Sequence, residues 1–363
     1  MIPTLSKRKR TASLDIVRII AIIMVVVIHG VETVWDVHPA TVSTLPIIEK
    51  IIIFIFYTLG RLGVPLFLFL TGYLMLGRKY NQKDIISFYK KRVTRLIAIA
   101  LIWTLIYYIY SLVFRDRTFR ITDLARQLLF ISDYLPAPHL WYMPAIIGLY
   151  LFIPFVANVL STINKKALKI ILSVAIFYLF IVPTCNSMAL ALHISPLISK
   201  IELHYVGGIC GVMMVIGYLI KQYSSLIIDK LHFSRLILLF LISMTLSIVT
   251  HYYMMCIKMY DAFLWYDSIF ILIAAGCLFI LLIELLKNKK ESKVLSKVAG
   301  MVFGCYLVHY LFIYVIKSVL LMMGFSNSIG NLVIIVVGSL AMSLVATGLA
   351  SRYKLPAQLF GVK

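Results

Sequence analysis

Apolar residues run almost unbroken from Leu14 to Asp36, a stretch long enough to cross a bilayer, which takes about 20 residues. Four ionisable side chains interrupt it: Asp15, Arg18, His29 and Glu32. Arg18 and His29 stand close to three helical turns apart, so on a helix they share a face. Asp15 and Glu32 lie three residues outside them on that same face. The pattern predicts a first transmembrane helix with one polar stripe, His29 sitting about 16 Å beyond Arg18 along the axis. Ionisable groups inside a membrane are costly and mark a site or a structural pair. Two readings stay open: a functional stripe, or an Asp15–Arg18 interface ion pair beside a satisfied core histidine.

The same apolar signal recurs along the chain. Residues 36–46 hold no Lys or Arg. Residues 47–77 are apolar for longer than one span needs, with Arg61 in the middle. Gly60, Gly63 and Pro65 break the pattern there, and Pro65 suits the first turn of a new helix. This predicts an approach segment followed by one broken or tilted crossing that ends near Leu76. Residues 78–95 carry Arg78, Lys79, Lys83, Lys90, Lys91, Arg92 and Arg95 and read as a cytoplasmic loop. Further spans fit at 96–114, 139–158, 168–185, 203–220, 235–254, 264–286, 300–322 and 330–350. The expectation is an all-α polytopic integral membrane protein of about ten transmembrane helices with both termini cytoplasmic. It is one membrane-embedded domain over residues 1–363: a short basic segment 1–13, spans over about 14–350, and a tail 351–363.

Composition agrees. The chain is 62% hydrophobic with a mean hydropathy of +0.99, and no polar stretch is long enough for a separate catalytic domain. Any chemistry therefore belongs to the membrane part. The net charge of +21 sits in short clusters between apolar runs, which is the positive-inside pattern rather than a nucleic-acid face. Of the 35 Lys and Arg, 25 fall in the predicted inner segments and six in the outer ones. The outer segment 115–138 is the exception, with Arg115, Arg117, Arg120 and Arg126 among Asp116, Asp123 and Asp133. The five cysteines have no metal-ligand spacing, so neither a disulfide framework nor a zinc site is expected. Lys7-Arg8-Lys9-Arg10 before an apolar run has the look of a signal peptide. The run holds charges and lacks a small-residue cleavage site, so it reads as an uncleaved span.

On this topology Arg18 lies toward the inner side and His29 in the outer half. A neutral imidazole suits a general base, Glu32 one turn on can orient it, and the Arg18 fork suits phosphate or carboxylate. Arg92 and Arg95 share a helix face at the inner boundary. Two guanidinium groups there suit a phosphorylated ligand; spacing alone favours a plain cluster that touches lipid headgroups.

Five motifs in order carry a resemblance. They are Leu14-Asp15-Ile16-Val17-Arg18 with His29; Gly63-Val64-Pro65-Leu66-Phe67-Leu68-Phe69-Leu70-Thr71-Gly72-Tyr73; Arg92-Val93-Thr94-Arg95; His139-Leu140-Trp141-Tyr142 with Tyr150 and Pro154; and Tyr306-Leu307-Val308-His309. Together, over residues 14 to about 356, they resemble the acyltransferase family 3 integral-membrane acyltransferases. Leu68 and Thr71 depart from the Phe and Ser usual in the second motif. The resemblance implies a ten-span O-acyltransferase of a bacterial-type plasma (inner) membrane. It would move an acyl group, commonly acetyl, from cytoplasmic acetyl-CoA to a hydroxyl of a cell-envelope polysaccharide or its lipid-linked precursor. Arg92 and Arg95 would serve the donor, and Arg18 and His29 the transfer, with Asp15, Glu32 and His309 beside them. Membrane lipid and a glycan acceptor are the implied partners, with no nucleic acid and no metal; a homo-oligomer is open.

Other residues have cheaper explanations. His139, Trp141 and Tyr142 fall at the outer interface, where an aromatic belt accounts for Trp and Tyr; the alternative is that His139, Trp141 and Tyr142 bind the substrate, with Trp141 stacking on its sugar. His251-Tyr252-Tyr253 and His204-Tyr205 get the belt explanation, and Glu284 and Lys317 snorkel near span ends. His309 reads equally well as a second acid–base group or as a donor to a backbone carbonyl. Asp261 and Asp267 receive no role. Two rival functions follow: a transporter of a small polar solute or sugar–lipid, which has no need of the Arg92/Arg95 pair, and a family member with another donor such as succinyl-CoA.

Overall fold

The computed structural model describes residues 11–115, 117–132, 135–198, 201, 203, 207–261, 264–325 and 328–362. Lys7 to Arg10, Asp116, Asp133, His204 and Tyr205 lie outside the described residues. Among those described, every regular element is helical. The long elements in chain order are α1 (Ala12–Trp35), α2 (Ile47–Gly60), α3 (Gly63–Met75), α4 (Gln82–Phe114), α5 (Pro138–Thr162), α6 (Lys165–Ala191), α7 (Gly208–Ile257), α8 (Ile269–Leu285), α9 (Lys293–Met322) and α10 (Ile329–Ala350). Taking α2 and α3 together, eight candidates among the described residues are long and apolar enough to cross a bilayer, and α8 is a shorter apolar helix. The chain is an all-α polytopic membrane protein.

α1 sits at the centre, against α2, α3, α8, α9 and α10. Its buried stripe of Val17, Ala21, Val25, Val26 and Val31 makes that packing. The expected break around Arg61 is present: α2 ends at Gly60 and α3 begins at Gly63. Pro65 takes the third position of α3, where its missing N–H removes no intrahelical bond. A Cβ on Gly60 would come 2.6 Å from the Ile28 Cβ, so only glycine lets the break press onto α1. That contact carries Arg61 beside the far end of the polar stripe.

Two expectations need correction. Residues 78–95 are not a loop but are helical from Gln82 onward. Asn81 accepts from the Asp84 N–H at 2.9 Å and the Asp84 carboxylate accepts from the Asn81 N–H at 3.3 Å, a capping box that starts the helix within the basic run. Residues 221–235, expected as an inner loop, are helical except at His232, whose backbone (φ 58°, ψ 155°) is not. The chain reverses there. Phe54 meets Tyr252 with ring centroids 5.8 Å apart, and Gly72 abuts Met214. From residue 54 to 72 helices cover at most about 27 Å, whereas a straight helix from 214 to 252 would cover about 57 Å. The two contacts are compatible only if α7 folds back, giving limbs 208–231 and 233–257. The first limb crosses α3 at Gly72 and Gly217, where a Cβ on either would run into the other helix's backbone.

Candidate active site

The polar stripe on α1 forms as its spacing predicts, as an Asp15–Arg18 ion pair and a His29–Glu32 hydrogen bond, each about one helical turn long. At the N-terminal end Arg18 donates to the Asp15 carboxylate at 2.6 Å, and Ser296 of α9 donates to its other oxygen at 3.0 Å. Asp15 is buried and Arg18 half-buried. Further along, the His29 Nδ1–H donates to Glu32 at 2.9 Å. A carboxylate can only accept, so this bond places the proton on Nδ1 and leaves the Nε2 lone pair for chemistry.

His29 is one of three histidines gathered from different helices. Its ring centroid lies 5.5 Å from that of His309 on α9 and 6.4 Å from that of His139, and His139 and His309 are 4.9 Å apart. His309 points Nδ1 at the Tyr306 carbonyl (2.7 Å) and the Cys305 carbonyl (3.2 Å), which makes that nitrogen the donor. Its buried Nε2 and both ring nitrogens of His139 have no hydrogen-bond partner. The nearby tyrosines are committed elsewhere: Tyr306 donates to the His139 carbonyl at 2.7 Å and Tyr107 to the Leu307 carbonyl at 2.9 Å. A buried polar atom without a partner costs about 1–3 kcal/mol. The His309 Nε2, buried among the three rings, marks a place where a polar ligand fits.

This corrects the sequence expectation for His139 and Tyr142. Neither forms part of an interfacial belt: His139 is buried in the histidine cluster, because the 3₁₀ turn Pro138–Trp141 opens α5 inside the bundle. Tyr142, also expected at the outer interface, lines a cavity on the Arg18 side. Trp141 is 37% exposed and packs on Tyr266. His251 likewise departs from the belt explanation; it is buried and accepts from the Leu264 N–H at 2.6 Å. Glu284 does not simply snorkel, since Ser224 donates to it at 2.5 Å.

The cavity measures about 1070 Å³ and opens at the Arg18 end of α1. Six cationic side chains line it: Arg18, Arg78, Lys91, Arg92, Arg95 and Lys221. No acidic residue is found among the described residues on its wall. A π-helical turn, Tyr89–Val93, precedes Arg95, and such turns recur at functional sites because they re-aim side chains. Arg95 is steadied by a bond to the Val362 carbonyl at 3.1 Å. Thr71, the departure within the second motif, lines the cavity too and turns its hydroxyl back to the Phe67 carbonyl at 2.8 Å. Tyr142 and Tyr306 are among the residues that line the cavity. Behind that wall the Tyr306 ring lies 5.5 Å from His139 and 6.1 Å from His309. One tyrosine thus separates the cationic cavity from the histidines.

Sequence reasoning gave Arg61 no role. It is fully buried and donates to the Tyr57 hydroxyl at 2.5 Å. Its guanidinium lies 3.7 Å from the Trp265 ring centroid and 4.6 Å from that of Tyr57, a stacked arrangement that suits arginine. Tyr57 and Arg61 both face Glu32, so a chain of polar groups runs from Arg61 through Tyr57 and Glu32 to His29. The signal was a Tyr57–Arg61 pair at i, i+4 inside an apolar run.

Residues 11–349 match the family model described as "Acyltransferase domain". No curated protein and no solved structure matches the chain.

Proposed function

Because the chain belongs to acyltransferase family 3, whose model covers more than nine-tenths of its length, we propose a specific transfer. It moves an acetyl group from cytoplasmic acetyl-CoA to a hydroxyl of a cell-envelope polysaccharide or its lipid-linked precursor. That it is a membrane acyltransferase follows from the family and the fold. The observation that carries the finer reading is the cationic cavity lined by Tyr306, whose ring lies against His139 and His309. A nucleotide with several phosphates calls for clustered guanidinium groups, and a transporter has no need of them on one side only. The 16 Å or so from Arg18 to His29 is a gap that an extended pantetheine arm can bridge.

In the proposed step, Glu32 holds His29 with Nδ1 protonated, and Nε2 takes the proton of the acceptor hydroxyl. The hydroxyl oxygen bonds to the thioester carbonyl carbon. The carbonyl oxygen gathers negative charge and is met by an N–H of His139, an electrostatic role of the oxyanion-hole type. The C–S bond then breaks, and the His29 proton passes to the leaving thiolate. Products are the acetyl ester and free CoA. Arg61 and Tyr57 keep Glu32 aimed at His29.

Both termini, the Arg92/Arg95 cavity and the loop at Lys290 lie on the cytoplasmic side in this scheme, and the chain crosses the membrane ten times, counting both limbs of α7. The function is tested by extracting envelope glycan from cells that express the protein and from cells in which its gene is deleted. Ester-linked acetyl, released by mild base and measured by mass spectrometry, is expected only with the protein present. Equal acetyl content in both would exclude this acceptor class.

A further inference from the structure

The four arginines of segment 115–138 oppose the positive-inside pattern, and the transfer scheme leaves them unused. The structure gives one of them a setting. Arg115 caps α4, twenty residues or about 30 Å beyond Arg95, which is one bilayer thickness from the donor cavity. Its guanidinium lies 3.9 Å from the Tyr314 ring centroid. Tyr314 stacks on Tyr110 at 5.8 Å and 5° and meets Tyr310 edge-on at 4.6 Å. Tyr310 in turn stacks on His139 at 5.0 Å and lies 5.1 Å from His29. Aromatic rings therefore form a continuous track from the reacting histidines to Arg115.

Exposure rises along the track: Tyr310 is buried, Tyr314 and Tyr110 are half-buried, and Arg115 is exposed. Arg120 is held in place, since the Tyr108 hydroxyl donates to the Arg120 carbonyl at 3.0 Å and accepts from its N–H at 3.2 Å. Arg120 is itself exposed. Rings with a flat apolar face and a polar edge suit the C–H face of a sugar, and a guanidinium stacked on a ring keeps its donor edge for a carboxylate or phosphate.

We propose that Tyr314, Tyr110 and Arg115 form the acceptor subsite, and that it takes an acidic glycan, its sugar rings against the two half-buried tyrosines and its carboxylate or phosphate on Arg115. This rests on the acyl-transfer reading and specifies its acceptor. It also gives a reason for cations on the outer side: they select an anionic acceptor that arrives from the face opposite the donor.

The test uses the full chain in phosphatidylcholine nanodiscs, without donor. Hexyl β-D-glucuronide and hexyl β-D-glucoside are titrated, and binding is followed by saturation transfer from protein to the sugar ring protons. The glucuronide is expected to bind roughly tenfold or more tightly than the glucoside, the size of one charge-assisted contact. Arg115→Gln is expected to erase that difference. Tyr110→Leu with Tyr314→Leu is expected to weaken both glycosides, while acetyl-CoA affinity stays at the wild-type value in every variant and reports an intact fold. Wild type that binds neither glycoside or both equally, or variants that bind as wild type does, would overturn the proposal. So would loss of glucuronide binding when phosphatidylglycerol replaces phosphatidylcholine, because Arg115 would then serve a lipid headgroup. Failure of wild type to transfer acetyl to any glycan would instead overturn the acyl-transfer reading and leave these donor-free affinities as measured.

Discussion

His29→Gln is expected to remove acetyl transfer while leaving donor binding as in wild type. An amide N–H can donate to Glu32 as Nδ1–H does but cannot take up a proton at neutral pH, and loss of a positioned acid–base group costs about 10²–10⁴-fold in rate. The geometry makes the effect specific to the step. His29 lies beyond the Tyr306 wall, in contact with His309, His139 and Tyr310, and it is absent from the lining of the cationic cavity. The substitution removes the Nε2 lone pair without disturbing the arginines. Glu32→Gln serves as the companion. It keeps a hydrogen-bond acceptor opposite Nδ1 but removes the charge that fixes the tautomer, so a smaller loss of rate is expected, again without change in donor affinity. Acetyl-CoA titration and a radiolabelled transfer assay on the same detergent-purified samples separate the two quantities. Transfer by His29→Gln at near wild-type rate would make His29 a structural histidine.

Replacing both Arg92 and Arg95 by Ala is expected to give the opposite signature, with weaker donor binding in a protein that still folds and inserts. Each lost charge-assisted contact is worth about 1.5–3 kcal/mol, roughly ten- to a hundredfold in affinity. Arg→Lys at either position is expected to restore little, because a point charge does not reproduce a planar fork. Arg95 needs separate expression control, since it also bonds to the Val362 carbonyl and holds the C-terminal segment against α4. Unchanged affinity in the double variant would return the pair to lipid-headgroup contact.

What the sequence disclosed, and what it hid, follows from how far apart in the chain each contact is made. The stripe on α1 was legible because its periodicity is local: the Asp15–Arg18 and His29–Glu32 pairs form three residues apart, as the helical repeat requires. The break at Arg61 was legible from glycine and proline. His139 was misplaced because the edge of an apolar run shows where a span begins and says nothing about whether that end is buried by neighbours. Its burial depends on α1 and α9, more than 100 residues away on either side. The reversal at His232 was hidden for a related reason. The hydropathy dip over 221–235 marks a change of environment, and helix can continue through such a dip. Arg61 could have been singled out as a cation in an apolar run, but its link to Glu32 appears only once α2 packs on α1. The arginines of segment 115–138 were visible as an exception to a charge rule, and their setting became visible only when α4 and α9 brought Tyr110, Tyr314 and Arg115 together.

The central claim is that one molecule of donor reaches from the cationic cavity to His29. A cryo-electron-microscopy map of the protein with a ketone analogue of acetyl-CoA, in which a methylene replaces the thioester sulfur, tests it most directly. The account predicts density for the nucleotide phosphates against Arg92 and Arg95, and for the ketone oxygen beyond Tyr306 between His29 and His139. Nucleotide density on the Arg115 face, or a ketone that stops short of the histidines, would contradict it.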